Sequence, residues 1–126
     1  MSAPAPGAFE YWYDAALLRV VDGDTVDVVL DLGFRIAWTV RLRLYGINAY
    51  ELTSSDPALR QKALAGKAFV EANLAGRRLV IQTHLDRQEK FGRWLGTVWA
   101  FDGAASTWLN VNDALVAAGL AVPYMV

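Results

Sequence analysis

The sequence has no cysteine, a single histidine and no surplus of positive charge. Without cysteine, neither a disulfide framework nor a thiolate metal site is available to it. Nowhere do about 18 apolar residues follow one another without a charge, so no segment reads as a transmembrane helix and no membrane contact is expected. The opening "MSAPAPGAFEYWYD" lacks the basic and apolar regions of a secretion signal. On that ground the chain is expected to be soluble, with the cytoplasm as the default location, although a mature fragment that had lost its signal would read the same. Twelve Lys and Arg against thirteen Asp and Glu give a net charge of -1 and a pI near 5.7. That is not the balance of a protein that coats nucleic acid. Any grip on phosphate has to come from a local cluster, so the spacing of the arginines matters more than their number.

What is present is a folding chain. Its 126 residues are 55% apolar and 20% charged, enough to enclose one core without staples. Residues 1–9, rich in Ala and Pro, read as a flexible N-terminal arm, and 10–126 as a single domain. Tyr11 to Val21 is mostly apolar and "DGDT" at 22–25 interrupts it as a turn does. Val26, Val28, Leu30 and Leu32 then alternate with Asp27, Val29 and Asp31, the period of a strand with one face buried. After Gly33, Phe34, Ile36, Trp38, Val40, Leu42 and Leu44 are expected on one face of a long strand, with Arg35, Ala37, Thr39, Arg41 and Arg43 on the other. From Ser54 the texture becomes helical: Asp56 suits an N-cap, Pro57 the first helical position and Gly76 the end, with Leu64, Ala68 and Ala72, beside Ala65 and Phe69, as the apolar stripe. Strands are expected at 77–85 and 94–101, a tight turn at Asp102-Gly103, and a second helix opened by Asn110 with Asp113 and ended by Gly119. Three strands, a helix, two strands and a helix in so short a chain predict a mainly β fold, a five-stranded OB-fold barrel with two to three helices.

Three stretches carry chemistry. "DGDT" is by itself an ordinary turn, and the same chain uses Asp102-Gly103 without chemical companions. "VRLRLYGINAYEL", 40–52, is more informative, because Arg43 leaves a polar strand face just before Asn48 and Glu51. A hard cation wants oxygen ligands from carboxylates, amides and carbonyls. A guanidinium fork beside such a cation is suited to phosphate. "EKFGRW", 89–94, places an aromatic between two cations with a Gly to turn the chain, a combination used at nucleotide sites.

Taken together, "VVDGDTVDV", "VRLRLYGINAYEL", "EKFGR" and "LNVNDALVAAGLA" resemble the staphylococcal (micrococcal) nuclease family, in order and with compatible spacing from Leu18 to Tyr124. The resemblance implies an OB-fold, calcium-dependent nuclease that cleaves single-stranded or frayed DNA and RNA at the 5' O-P bond, leaving 3'-phosphate ends, and that acts as a monomer. It implies Asp24 as a calcium carboxylate, position 48 as the second side-chain ligand, the carbonyl of Ala49 as a backbone ligand, and Asp22 as support for the ion from behind Asp24. Arg43 and Arg93 are expected to hold the phosphate and Glu51 to act on the attacking water. Lys90, Phe91 and Tyr124 fall near positions that meet a terminal phosphate and the base or sugar.

The chain departs from that family at the second ligand, reading Asn48, Ala49, Tyr50, Glu51 where the pattern is Asp, a small residue, Pro and Glu. The amide brings no charge, so calcium affinity is expected to fall. Tyr50 frees the backbone that aims Glu51, and it can offer an aromatic face to a base. Both arginines and the glutamate remain, which favours a working enzyme over the competing expectation, a non-catalytic OB module that binds single-stranded nucleic acid or a protein. His84 reads as a strand residue, and Trp38, on the apolar strand face, as packing.

Overall fold

The computed structural model describes residues 11–84 and 94–124. Its elements run β1 (Trp12–Asp22), β2 (Thr25–Asp31), β3 (Ala37–Leu44), β4 (Ile47–Ala49), α1 (Pro57–Leu74), β5 (Leu79–His84), β6 (Trp94–Asp102), β7 (Thr107–Asn110), α2 (Val111–Ala117) and β8 (Ala121–Pro123). The arm 1–9 and the segment carrying Lys90, Phe91 and Arg93 lie outside the described residues. Strands β1, β2, β3, β6 and β5 form the wall of a closed five-stranded barrel, because β3 and β6 pair in parallel and complete the circuit that antiparallel pairing begins. The expected mainly β, five-stranded OB barrel is what the chain adopts, with two helices among the described residues. None of these helices is long and apolar enough to cross a membrane.

The barrel is filled from alternating strand positions. Val26, Val28 and Leu30 of β2, Val40, Leu42 and Leu44 of β3, Ile81 of β5 and Val98 of β6 are buried and form one cluster with Val70 and Leu74 of α1 and Leu115 of α2. β1 shows no clean alternation because its pairing with β2 slips twice, between Leu17 and Arg19 and again between Val20 and Asp22. Such bulges bend a strand and let a small sheet close. At the parallel seam Gly96 is required by space: a Cβ there would sit 3.0 Å from Leu42 Cδ1 and 3.2 Å from the Gln82 carbonyl.

Two expectations fail for identifiable reasons. The apolar face of the third strand does not extend back to Phe34. Gly33, Phe34 and Arg35 all have positive φ, and Ile36 N–H closes the turn on the Gly33 carbonyl at 2.8 Å. The hairpin therefore turns beyond the barrel wall, leaving Phe34 97% and Trp38 46% exposed. Trp38 meets Trp94 edge-on at 5.8 Å instead of entering the core. On α1 the buried stripe is Ala63, Gly66, Val70 and Leu74, while Leu64, Ala65, Ala68 and Ala72 face solvent. An alanine-rich helix has little preference between neighbouring stripes, and Gly66 decides it. A Cβ at Gly66 would stand 3.4 Å from the Leu120 carbonyl and 3.9 Å from Gly23 Cα, so this face alone permits so close an approach. The caps are as expected. Asp56 accepts from Ala58 N–H and Pro57 opens α1, and Asn110 accepts from Asp113 N–H at α2.

Candidate active site

The site begins at the two-residue turn Gly23-Asp24, which joins β1 to β2 where Asp22 pairs with Thr25. Asp22 Oδ1 accepts from Asp24 N–H at 3.0 Å, folding the first carboxylate back over the turn. Gly23 is packed so tightly that a Cβ would lie 3.0 Å from Ala49 Cβ, with the Gly66 backbone behind it. The turn is thereby wedged between α1 and β4. The pairing of Thr25 with Arg43 sets the register of β2 on β3, and Leu44 N–H donates to the Asp24 carbonyl at 2.7 Å.

The side chains continue what the backbone starts. Asp24 Oδ2 accepts from Ala49 N–H at 3.0 Å, and Oδ1 from the buried Thr25 hydroxyl at 3.1 Å. One residue earlier on β4, Asn48 Oδ1 accepts from Arg43 Nη2, which also donates to the Ile47 carbonyl at 3.3 Å. Carboxylate and guanidinium are thus fixed by adjacent residues of one three-residue strand. That strand is held in turn by β8, with Asn48 opposite Val122 and Ala49 opposite Ala121. Tyr124, just past β8, donates its N–H to the Gly46 carbonyl at 2.8 Å and lays its ring 5.2 Å from the Arg43 guanidinium carbon.

The electrostatics of the turn are unbalanced. Burial pushes the Asp24 carboxyl up to about 6, and Asp22 adds to this through a hydrogen bond and through its charge, while Ala49 N–H and the Thr25 hydroxyl oppose the shift only in part. On the same strand as Arg43, Arg41 is instead committed to structure. Its Nε and Nη2 grip the two oxygens of Asp27 at 2.8 and 3.1 Å, and that guanidinium holds the Asp27 carboxyl below its ordinary range.

Of the residues singled out in the sequence, Asp22, Asp24, Arg43, Asn48, Ala49 and Tyr124 come together. Glu51 lies two residues past Ala49 on an exposed turn, where its carbonyl accepts from Ser54 N–H. Among the described residues no three acidic or histidine side chains converge on one point. Lys90, Phe91 and Arg93 fall outside the described residues. Tyr50 turns toward α1, with Lys62 Nζ 5.1 Å from its ring centroid. His84 is a strand residue at the end of β5, its Nε2 2.8 Å from Thr97 Oγ1 and its ring against Tyr45 at 3.9 Å.

Sequence reasoning missed Asn112. It is 2% exposed, accepts from Val98 N–H at 3.1 Å and donates to the carbonyls of Tyr45 and Gly96 at 3.0 and 3.1 Å. It thus ties α2 to the point where β3 leaves the barrel beside Arg43. An amide on the inward face of a short helix was the available signal.

Comparison with known proteins follows the same lines. A family model described as Staphylococcal nuclease homologue matches residues 41–126. The chain is 37% identical over 111 residues to Protein ParB of Escherichia coli, covering 86% of this chain and 55% of that protein. It is 29% identical over 129 residues to Endonuclease YhcR of Bacillus subtilis (strain 168), covering 98% of this chain and 10% of that protein. Thermonuclease of Staphylococcus intermedius is 27% identical over 84 residues, 67% of this chain and 47% of that protein. The chain therefore spans little more than half of the first of these relatives and a tenth of the second.

Proposed function

The chain belongs to the family of staphylococcal nuclease homologues, and from that membership we propose that it is a calcium-dependent phosphodiesterase hydrolysing DNA and RNA by attack of water on phosphorus. The observation that carries the reading is the linked group Asp24, Ala49, Asn48 and Arg43, in which an acid suited to a cation and a guanidinium suited to a phosphate are held through neighbouring residues of β4. That Endonuclease YhcR and Thermonuclease are among its relatives supports the reaction class.

The donor set fits a hard cation. The atoms that would hold it are all oxygen: the Asp24 carboxylate, the Asn48 amide through the lone pair that Arg43 does not take, and the Ala49 carbonyl, with Asp22 behind. A carboxylate whose charge the fold disfavours, as at Asp24, is what a divalent ion relieves. When bound, calcium supplies Lewis acidity toward a phosphoryl oxygen and toward water. The remaining work falls to the chain. Arg43, with Arg93, holds the phosphate and stabilises the charge that grows on its oxygens, the contribution that is usually largest in such reactions. Glu51 orients the attacking water and takes its proton.

Hydrolysis of a single-stranded oligonucleotide against calcium concentration tests the proposal. Cleavage should rise with calcium and stop on chelation. Folded protein that cleaves at no calcium concentration would overturn it in favour of a binding module.

A further inference from the structure

We infer that the β4–β8 ribbon is a clamp that presets Arg43 for phosphate, with Asn48 and Tyr124 as positioning residues. The inference rests on the reading of Arg43 as the phosphate-holding group and concerns how this chain keeps it ready.

An arginine reaching from a strand end has many rotamers, and fixing it on arrival of a ligand costs binding energy. Here the guanidinium is fixed beforehand on three sides. Both hydrogens of Nη2 are engaged, by the Ile47 carbonyl and Asn48 Oδ1. One face rests on the Tyr124 ring, 5.2 Å from its centroid. The ring is itself held by backbone, since Tyr124 N–H bonds Gly46 and the preceding Pro123 pairs with Ile47. Acceptor and ring therefore come from the two strands of one ribbon. Nε and Nη1, which make no bond among the described residues, are left with three N–H donors for a phosphodiester.

The type of acceptor matters. Arg41, two residues earlier on β3, shows what a carboxylate partner does: both of its engaged nitrogens are bound to Asp27, whose negative charge, shared with Arg19, offsets the guanidinium. Asn48 offers Arg43 a single oxygen acceptor without the negative charge. The guanidinium is held but not neutralised, so its full charge stays available to an anion. The neutral side chain at position 48, which weakens the donor set for a cation, thus improves it toward Arg43. The geometry likewise assigns one face of the Tyr124 ring to Arg43 and not to a base.

The test is made in EDTA, so that it is independent of metal binding and hydrolysis. Binding of a short fluorescein-labelled oligodeoxythymidylate is followed by anisotropy against salt, and the side-chain N–H signals of Arg43 by nitrogen-15 NMR, for Asn48→Asp, Asn48→Ala, Tyr124→Phe and Tyr124→Leu, with folding checked by circular dichroism. Asn48→Asp should weaken binding about fivefold or more and flatten the slope of log K against log salt by roughly 0.7, the amount one single-strand phosphate contact carries. Tyr124→Leu should weaken binding about two- to fivefold, the scale of an exposed cation–π contact, and Tyr124→Phe should not. In the parent the Arg43 η signals should be resolved by slow rotation, and in Asn48→Ala they should merge. Parent-like affinity, salt slope and Arg43 signals in the Asn48 variants would overturn the inference. If the parent binds too weakly to measure, the NMR comparison decides alone. Since no cleavage is measured, a chain that shows these changes yet never hydrolyses DNA refutes the nuclease reading only. A calcium-dependent nuclease with unaltered Arg43 signals refutes the clamp only.

Discussion

Replacing Asp24 with Asn should make the calcium-free protein more stable at neutral pH while removing its response to calcium. The Asp24 carboxyl is shifted from 3.8 to about 6 in the folded chain. At about 1.36 kcal/mol per pKa unit, that gap sets a ceiling of about 3 kcal/mol, and partial contact with water leaves roughly 1–2 kcal/mol. The sign follows from linkage. The fold prefers the protonated acid, so this group's favourable contribution is complete below the unfolded value near 3.8 and is lost as pH rises through about 6. Asn imitates the protonated form at every pH. Its carbonyl can accept from Ala49 N–H and its amide can donate to the Thr25 oxygen, so both bonds of Asp24 keep a counterpart. Urea unfolding followed by tryptophan fluorescence in EDTA should show the variant more stable by about 1–2 kcal/mol at pH 7.5, with the gap closing toward pH 4. In saturating calcium only the parent should gain stability, because only it keeps the carboxylate ligand. Equal stability of the two proteins at pH 7.5, or a gap that persists unchanged at pH 4, would refute the argument that the carboxylate's charge is what the fold resists.

Three further outcomes can be checked. Asn112→Ala leaves the Val98 N–H and a Tyr45 carbonyl without their partner inside the protein and should cost about 2–4 kcal/mol in chemical denaturation; a loss under 1 kcal/mol would mean that water replaces the amide. Gly96→Ala drives a methyl against Leu42, Ile81 and the Gln82 carbonyl at the barrel seam and should lower stability by about 1–3 kcal/mol, seen as a fall in Tm. Glu51→Gln should cut kcat by about 100-fold or more with little change in oligonucleotide affinity, the signature of a group that acts on water and not on binding; unchanged turnover removes Glu51 from the reaction.

Much of this protein is written locally. The alternation Val26, Val28, Leu30 and the run Val40, Leu42, Leu44 determine which strand faces enter the core, since a strand's side-chain period is two and only one face can be buried. Asp56 with Pro57, and Asn110 with Asp113, determine where the helices start, because a cap needs only its own first turn. That Asp22 and Asp24 stand close to Arg43 and Asn48 was expected from the resemblance these motifs carry, while Glu51 lies on an exposed turn. What tertiary structure alone decided are the contacts between segments far apart in the chain. The strands β4 and β8 have three residues each, too few to show a period, and they exist because Asn48 finds Val122 across the fold. Which stripe of α1 is buried depended on Gly66 meeting Gly23, a matter of space that helical periodicity does not record. The partner of Asn48 was decided in the same way. Residue type offers its amide oxygen to a cation or to a guanidinium alike, and only the path of the chain past Arg43 brings the guanidinium onto it.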